Sequence, residues 1–485
     1  MDIRRKTHCV KVGKTKIGGA NPIVIQTMTN TSTLDTEETV AQIERCVKAG
    51  AEIVRMTTQG IAHAANLENI RKRLNDKGVE VDLVADVHFN SAVAFEAAKH
   101  VEKVRINPGN FVDPGRVFKK IEYTDQQYGE ELGRLRETFV RFLDCCREYG
   151  TAVRLGVNHG SLSDRIMSRY GDTPAGMVES VMEFLRIAKD ERFDDIVISI
   201  KASNVLVMTE TVHLLVKEME KAGMSYPLHL GVTEAGDGED GRVKSALGIG
   251  SLLAEGIGDT IRVSLSEDPA AEIPVARAIV KHVEKLRRGE KYAEIVDTGK
   301  PVATTLPRPF VVGADVKDAV GKVIRVIYPA EMDADDVTVA ASIDVGRLLL
   351  AGEDVDGIEI VAPGISEENR GQLGLTILQG SRRRMTRTEF IACPGCGRTM
   401  FDLSGTLKAV REALGNIKGL KIGVMGCIVN GPGEMADADY GYVGGSKGCV
   451  SLYRGKECVV KNIKTEEALD ALIKLIKEDG RLDGC

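Results

Sequence analysis

The sequence predicts an α/β protein, with a (β/α)8 TIM barrel at 1–285, a small insertion domain at 286–385 and a C-terminal α/β domain at 386–485. The barrel is predicted by eight short runs rich in β-branched residues and by the amphipathic stretches of helical period between them. The runs are PIVIQTM, AEIVRMTT, VDLVADVHF, KVRINPGN, AVRLGVNHG, DIVISIKASN, LHLGVTEAG and DTIRVSLS. Eight strand-helix units in about 265 residues fit a closed barrel better than a doubly wound sheet.

The helical stretches have recognisable ends. In DTEETVAQIERCVKAG, Asp35 can cap the first turn and Gly50 can end the helix, while Val40 and Ile43 lie on one apolar face. In DTPAGMVESVMEFLRIAKD, Pro174 lies in the first turn, where proline is tolerated. Both segments are therefore predicted as barrel helices.

The two later regions differ in character from the barrel. The insertion runs from LRRGEKYAEIVDTGKP through PRPFVVGADVKDAVGKVIRVIY to GLTILQGSRRRM and is predicted as a small α/β unit whose role the sequence does not declare. The C-terminal region begins near TRTEFIACPGCGRTMFDL and alternates strands such as KIGVMGCI with helices such as TEEALDALIKLIKEDG. It holds six of the ten cysteines, so metal or redox chemistry is expected there.

Composition excludes several classes of protein. With 485 residues, 43% hydrophobic and 28% charged, the chain is expected to be globular, and a net charge of -6 makes nucleic acid a poor first partner. No run approaches the roughly 18 apolar residues that a membrane span needs. The protein is therefore expected in the cytoplasm, where ten cysteines are unlikely to form a disulfide framework.

The ends of the predicted strands are basic. Arg55, Arg105, Arg154 and Arg262 lie inside otherwise apolar strands, and Lys201 ends a fifth. A buried guanidinium costs several kcal/mol unless it is paired, so each head is expected to point into a polar barrel mouth. For any one of these residues the alternative is a structural ion pair, but five similar placements favour a site for phosphate or diphosphate.

Other polar residues follow the same strand ends. Glu234 could move a proton or hold a hydroxyl group, or it could simply pair with the arginines. His88 or His159 alone would more often be a structural histidine. The residues predicted to contact the substrate in addition to the five cations are Asp86, His88, Asn107, Asn158, His159, Ser203, Asn204 and Ser264.

A cysteine constellation marks the C-terminal region. Cys393 and Cys396 form a C-x-x-C turn, and Cys427 follows about thirty residues later. Cys449 or Cys458 could complete an all-thiolate structural zinc site. The remaining thiols are expected to be buried or incidental: Cys9, Cys46, Cys145, Cys146, Cys485 and, outside the zinc alternative, Cys449 and Cys458.

The segment GCIVNGPGE offers a different fourth ligand. Its Gly-Pro-Gly stretch is not expected to sustain a helix or strand, so a tight loop is predicted that swings Glu434 back beside Cys427. A carboxylate is a poor choice for a sealed structural site, but on an iron-sulfur cluster it would exchange more readily than a thiolate. Spacing therefore favours a cluster over zinc, and both remain open.

Taken together, IQTMT, VADVHF, RINPGN, NHGSLSDR, ACPGCGRTMFDL and GCIVNGPGEMADADYGYVGG closely resemble the 4-hydroxy-3-methylbut-2-en-1-yl diphosphate synthase family of the methylerythritol phosphate route to isoprenoids. The resemblance covers the barrel and the C-terminal domain. It implies a 4Fe-4S cluster held by Cys393, Cys396, Cys427 and Glu434, and hence a C-terminal iron-sulfur domain. It also implies the substrate 2-C-methyl-D-erythritol 2,4-cyclodiphosphate, reduced to (E)-4-hydroxy-3-methylbut-2-enyl diphosphate with electrons from reduced ferredoxin or flavodoxin.

The resemblance extends to the barrel mouth. The family's basic residues match Arg55, Arg105, Arg154, Lys201 and Arg262, and its barrel glutamate matches Glu234.

The insertion is similar to that of the longer, plant-like members, but shorter. Short members of the family form homodimers in which one subunit's cluster covers the other's barrel, so a cap on the chain's own barrel and a cap on a partner's barrel are both open. Two other functions are alternatives: a zinc-stabilised barrel that binds a phosphorylated ligand without redox activity, and an enzyme similar to dihydropteroate synthase.

Overall fold

The computed structural model describes residues 4–113, 122–428, 431–435 and 437–482. Cys485, expected to be an incidental thiol, lies outside these residues. Within the described ranges no helix is long and apolar enough to cross a membrane.

A small hairpin covers the N-terminal end of the barrel. Strands β1 (Val10–Val12) and β2 (Thr15–Ile17) are antiparallel. Their apolar side chains form one buried cluster with residues at the beginnings of the barrel strands, among them Val24, Ile53 and Val197. This end of the barrel is therefore filled by side chains, and access is possible only from the other end.

Eight parallel strands form the barrel: β3 (Val24–Met28), β4 (Ile53–Thr58), β5 (Asp82–Val87), β6 (Lys103–Ile106), β7 (Ala152–Asn158), β8 (Ile196–Lys201), β9 (His229–Leu230) and β10 (Thr260–Ile261). Strand β10 pairs with both β9 and β3, and a parallel bridge between Ile198 and Leu228 joins β8 to the residue before β9. Each strand lies within one of the eight predicted runs, so the predicted barrel is confirmed.

Helices connect the strands on the outside of the barrel: α1 (Thr36–Ala49), α2 (Ile61–Asp76), α3 (Ser91–Ala97), α4 (Asp125–Tyr149), α5 (Asp164–Tyr170), α6 (Pro174–Asp190), α7 (Val205–Lys221), α8 (Gly238–Ser245), α9 (Ser251–Ala254) and α10 (Glu272–Arg287). A π-helical turn, Ala246–Gly250, joins α8 to α9, and a 3-10 turn, Pro269–Ala271, precedes α10. The predicted ends of α1 and α6 match: Asp35 accepts a hydrogen bond from the backbone of Glu38 at 3.0 Å, and Pro174 is the first residue of α6.

The region predicted as an insertion contains a four-stranded sheet and two helices. The elements are β11 (Ala293–Asp297), β12 (Phe310–Val311), β13 (Lys322–Ile327), α11 (Ala334–Leu350), β14 (Gly357–Val361) and α12 (Glu367–Gly380), with strand order β11-β13-β14-β12. Ile343 of α11 and Ile377 of α12 belong to the same apolar cluster as the barrel helices. This region is therefore packed directly on the barrel and extends its core.

The C-terminal region is a five-stranded mixed sheet with its own core. Its elements are β15 (Glu389–Ala392), α13 (Leu403–Leu414), β16 (Lys421–Met425), α14 (Gly431–Glu434), β17 (Tyr440–Ser446), β18 (Cys449–Arg454), β19 (Glu457–Lys464) and α15 (Thr465–Glu478), and the strand order follows the sequence. Leu407, Ile422 and Leu472 lie in an apolar cluster separate from that of the barrel. A second hydrophobic core of this kind is typical of a domain that folds as its own unit.

This domain closes over the mouth of the barrel in the same chain. Ala392, at the end of β15, forms a backbone bridge with Ala235, and the buried Lys244 pairs with Glu389 at 3.1 Å. Arg387 adds a 2.6 Å ion pair to Asp240. Of the two arrangements left open by the sequence, the structure therefore has the cap on the chain's own barrel.

Candidate active site

A pocket lies between the C-terminal ends of the barrel strands and the loops of the cap. Of the predicted residues it brings together Arg55, Asp86, His88, Arg105, Arg154, Asn158, Lys201, Glu234, Arg262 and Ser264 from the barrel, and Cys393, Cys396, Cys427 and Glu434 from the cap. The pairing register explains part of this convergence, because Asp86, Arg105 and Arg154 are direct neighbours on three adjacent strands. Neighbours in register on a parallel sheet point to the same side.

Asp86 organises two of the arginines. Arg105 donates to the Asp86 carboxylate at 2.9 Å and to the carbonyl oxygen of Gly156 at 2.8 Å, and it contacts His88. The guanidinium of Arg55 lies 4.0 Å from Asp86. Burial alone would raise the pKa of the Asp86 carboxyl, but the charges of Arg55 and Arg105 outweigh it and hold that pKa well below its ordinary value.

His88 is a neutral member of this cluster. It is buried, and its imidazole lies 3.6 Å from Asp86. Burial first, and then the charge of Arg105, lower the pKa of His88 to about 3. The ring therefore offers hydrogen bonds to a ligand without adding charge.

Arg262 is held by a carboxylate that the sequence did not suggest. Glu272, the first residue of α10, accepts from Arg262 Nε at 3.2 Å and from Nη2 at 2.9 Å. The same carboxylate accepts from the hydroxyl of Thr27 at 2.7 Å. Arg262 thus has the geometry of the structural ion pair that was the alternative for each arginine, although its guanidinium still lines the pocket.

Arg154 and Lys201 are the two barrel cations of the pocket that form no ion pair with a carboxylate in the described part of the chain. Arg154 donates to Ser199 Oγ at 2.6 Å, and its Nε and Nη2 atoms have no hydrogen-bond partner in the described part of the chain. No carboxylate within the described ranges forms an ion pair with either residue. Burial, followed by the nearby charge of Arg55, lowers the pKa of both groups well below their ordinary values. An anionic ligand in the pocket would stabilise the charged forms of both residues.

The whole pocket carries an excess of positive charge. Its cationic side chains are Arg55, Arg105, Arg154, Lys201, Arg262 and Arg398, and its carboxylates are Asp86, Glu234 and Glu434. An excess of cations in a largely buried site selects for a multiply charged anion, because arginine binds phosphate oxygens in a bidentate manner.

Glu234 and Glu434 face each other across the pocket. Glu234 is buried, has a left-handed backbone with a φ of 50°, and leaves Oε2 without a partner among the described residues. Burial first, and then the adjacent carboxyl of Glu434, raise the pKa of Glu234 well above its ordinary value. A left-handed conformation is uncommon for glutamate and is typical of functional sites. Glu234 is therefore a buried carboxyl whose surroundings favour the protonated form.

The segment around Glu434 differs from the prediction in one respect. Gly431–Glu434 form a single helical turn, α14, where no regular structure was expected. Pro432 lies in the first turn of this helix, where a missing N–H costs nothing. The backbone of Gly433 packs against Gly160, which has a φ of 78° and no room for a Cβ atom. This close approach places the Glu434 side chain beside Asn158, which donates a hydrogen bond to it.

Three thiols form the roof of the pocket. Cys393 Sγ accepts from the backbone N–H of Gly426 at 3.2 Å, and the Cys396 N–H donates to Thr399 at 3.1 Å. Burial raises the pKa of the Cys393 thiol in the absence of a metal. The two candidates for an all-thiolate zinc site lie outside the pocket, since Cys449 begins β18 and Cys458 is on β19.

Four predicted residues do not line the pocket. Asn107 donates to Ser161 Oγ at 2.8 Å, and His159 lies 3.6 Å from Asp172. Asn204 caps α7 by accepting from the backbone of Leu206 at 3.0 Å. The fourth, Ser203, donates to the backbone carbonyl of Glu434 at 3.4 Å. In this structure these residues hold the loops around the pocket, and their contact with a substrate stays a prediction.

Arg398 is the charged residue of the pocket that sequence reasoning missed. It comes from the cap and is 7% exposed. Burial disfavours its charge, but the neighbouring Cys396 thiol and Asp86 carboxylate raise the pKa of Arg398 above its ordinary value. Its position two residues after the C-x-x-C pair is the feature of the sequence that could have indicated a place in the site.

The fold and the pocket define a class of protein: a (β/α)8 barrel with an anion-binding mouth that is closed by a thiol-bearing domain. The chain matches the GcpE TIM-barrel domain over residues 7–277 and the GcpE protein C-terminal domain over residues 389–478. It therefore belongs to the GcpE family.

Curated relatives cover almost the whole chain. A protein of Bacteroides fragilis is 47% identical over 98% of this chain and 96% of its own length. Proteins of Parabacteroides distasonis and Leptospira interrogans are 44% and 38% identical, again over 98% of this chain. All three carry the name 4-hydroxy-3-methylbut-2-en-1-yl diphosphate synthase (flavodoxin). The alignment with the first extends over 602 positions, so that protein has segments without a counterpart in these 485 residues.

Among solved structures, a dihydropteroate synthase from Burkholderia cenocepacia is similar at 12% identity and a TM-score of 0.38, covering 59% of this chain and 99% of that one.

Proposed function

We propose that the chain is a 4Fe-4S oxidoreductase that converts 2-C-methyl-D-erythritol 2,4-cyclodiphosphate into (E)-4-hydroxy-3-methylbut-2-enyl diphosphate for isoprenoid synthesis. Family membership and the names of the relatives support this activity. The observation that carries the proposal is that a cationic cup and three thiols with a carboxylate face each other in one pocket. The zinc-stabilised binding barrel does not require the thiols to face the cationic cup, and the dihydropteroate synthase alternative does not require the thiols at all.

The barrel side of the pocket binds the diphosphate. Arg154 and Lys201 are buried cations without a carboxylate partner among the described residues, so the phosphoryl oxygens complete their hydrogen bonds. Arg55 and Arg105 add charge from a fixed position because Asp86 orients them. When both phosphate groups of the cyclic diphosphate are held, its ring faces the roof of the pocket. Substrate binding thereby orients the ring for the reaction.

The cap side holds the cluster. We propose Cys393, Cys396, Cys427 and Glu434 as its ligands. Three thiols and the Glu434 carboxylate line one pocket, and a four-iron cluster takes four ligands, one on each iron. A carboxylate is exchangeable and faces the pocket, which fits a cluster with an accessible iron better than a sealed structural zinc site. When bound, the cluster supplies the substrate with electrons one at a time.

The overall conversion sets the tasks of the protein groups. Two electrons and one proton enter, one carbon–oxygen bond of the ring breaks while its oxygen stays on phosphate, and a hydroxyl group leaves as water. A hydroxyl group is a poor leaving group unless it is protonated, so an acid must face it. Glu234 is a buried carboxyl of the pocket whose pKa is raised, and we propose that it protonates or holds the departing hydroxyl.

Reduced flavodoxin is the electron donor that we propose first, because the relatives carry that word in their names, and ferredoxin is the second candidate. The residues that line the pocket all come from one chain, which supports a site that one copy completes, and a homodimer remains part of the proposal. We also propose a cytoplasmic location. Mixing the oxidised protein with each reduced donor without oxygen and following the visible spectrum would identify the donor.

Oxygen-free purification with iron, sulfide and zinc analysis tests the proposal. We expect brown protein with about four irons and four sulfides per chain. The Cys427→Ser variant should lose most of the iron, whereas the matched variant Cys449→Ser should keep it. Colourless protein with zinc and without sulfide would establish the zinc-stabilised alternative, and metal-free protein that still binds pterin would establish the dihydropteroate synthase alternative.

A further inference from the structure

One cation of the pocket differs from the others in origin. Five come from barrel strands, and Arg398 comes from the cap, two residues after Cys396. Only 7% of Arg398 is exposed, so its charge lies inside the closed pocket. It is therefore the cationic side chain that moves with the thiols if the cap moves.

The loop that carries Arg398 is fastened to the barrel rim. The carbonyl oxygen of Gly397 accepts from Gln59 Nε2 at 3.3 Å. A Cβ atom on Gly397 would lie 2.6 Å from the carbonyl oxygen of Thr31, so the backbone approaches the rim as closely as glycine permits. On the other side, Thr399 donates its N–H to the carbonyl of Cys396 at 2.9 Å. With the backbone held in this way, the Arg398 side chain points into the pocket.

The guanidinium shares its pocket with both ligands and charges. The Cys396 and Cys427 thiols and the Asp86 carboxylate line the same pocket, together with the like-charged Arg55. The Nε atom of Arg398 has no hydrogen-bond partner among the described residues. The guanidinium thus faces the space that contains the thiols of the roof and the carboxylate that organises the barrel arginines.

We propose that Arg398 is a positioning residue that stabilises the electron-rich state of the cluster, and that it does not bind phosphate. This inference rests on the proposed function, because it requires the thiols to hold a metal cluster. A reduced cluster carries one more negative charge than the oxidised one, and hydrogen bonds to its sulfurs and nearby charge raise its reduction potential. In a pocket with little solvent, a buried cation beside two of the three thiolate ligands acts with little screening.

The midpoint potential of the cluster tests this role. We compare wild type with Arg398→Met, Arg398→Gln and Arg398→Lys by an oxygen-free redox titration followed by electron paramagnetic resonance. Loss of the charge should lower the equilibrium constant for one-electron reduction at least tenfold, which is a shift of about 59 mV to more negative potential. The lysine variant should recover most of the shift. Substrate affinity for the oxidised protein, from calorimetry, should change less than about threefold.

A matched variant separates this role from phosphate binding. Lys201→Met removes a pocket cation on the barrel side and should weaken substrate binding with a smaller change in potential. An Arg398→Met protein with wild-type potential, or with weaker substrate binding and no shift in potential, would overturn the inference. If the methionine variant does not retain iron, equal potentials for the glutamine and lysine variants would overturn it as well. Colourless wild-type protein would instead refute the proposed function.

Discussion

Two buried arginines of the pocket should respond in opposite ways to the same substitution. Arg154 pairs with no carboxylate in the described ranges, and its one hydrogen-bond acceptor there is Ser199. Arg262 makes a two-pronged contact with Glu272. We therefore predict that Arg154→Met weakens substrate binding but leaves the stability of the free protein equal or higher, whereas Arg262→Met destabilises the free protein.

The expected losses of affinity and stability depend on the contacts that each substitution removes and on the carboxylate that it leaves unpaired. A hydrogen bond to a charged group contributes about 1.5–3 kcal/mol, so losing the Arg154 contact should weaken binding by about 12-fold to 150-fold. Loss of its charge strands no carboxylate, and it removes a desolvated cation from a cationic cluster. Loss of Arg262 leaves Glu272 buried without its cation, which costs about 3–5 kcal/mol of stability. The contacts of Glu272 with Thr27 and Leu265 compensate only in part.

Calorimetric titration of the oxidised protein with substrate gives the affinities, and thermal unfolding without ligand gives the stabilities. Arg154→Lys serves as a control, because lysine keeps the positive charge but cannot bind phosphate oxygens in a bidentate manner. Native affinity in Arg154→Met would show that the residue does not bind the substrate. A loss of stability in Arg154→Met as large as that in Arg262→Met would refute the assignment of ion-pair partners on which the prediction depends.

Other changes give shorter tests. Glu234→Gln keeps the shape of the acid but cannot release a proton, so turnover should fall at least tenfold while substrate affinity stays; unchanged turnover would remove the residue from the mechanism. Asp172 of the barrel and Lys456 of the cap form an ion pair at 3.6 Å. Reversing either charge should weaken closure of the cap and lower kcat/KM by about twofold to fivefold. Reversing both charges should restore part of the loss. Arg165→Met strands the buried Glu183, which it contacts at 2.6 Å, and should lower stability by about 3–5 kcal/mol in thermal unfolding, unlike Arg165→Lys.

The barrel could be predicted because its signal is local. Each β-branched run and each helical stretch is a pattern within a short window, and eight repeats leave few other folds. The position of the pocket followed from the same information, because the carboxyl ends of barrel strands meet at one face. Strand lengths were less predictable: LHLGVTEAG and DTIRVSLS contain only the two-residue strands β9 and β10. Residues that follow these two strands, such as Glu234 and Ser264, are not part of the sheet and line the mouth of the barrel.

The sequence could not show which arginines form an ion pair with a carboxylate, because these pairs join distant parts of the chain. Glu272 follows its strand in a helix, where an acidic first turn is ordinary helix chemistry, so nothing in the sequence marks it as the partner of Arg262. Arg398 is separated from Asp86 by more than 300 residues. Residue type and strand position identify a cation, but only the folded chain shows whether a carboxylate already neutralises it.

The same distinction explains why Glu234 and Glu434 form the least predictable part of the site. Each could be picked from its own segment, yet the closeness of the two carboxyls, which raises the pKa of Glu234, is set by the packing of two glycines, Gly160 and Gly433, from different domains. A displacement of the cap would separate the carboxyls and allow water between them, and the pKa of Glu234 would fall towards its ordinary value. The raised pKa of the proposed acid therefore depends on the cap being seated on the barrel, which couples closure of the pocket to its chemistry.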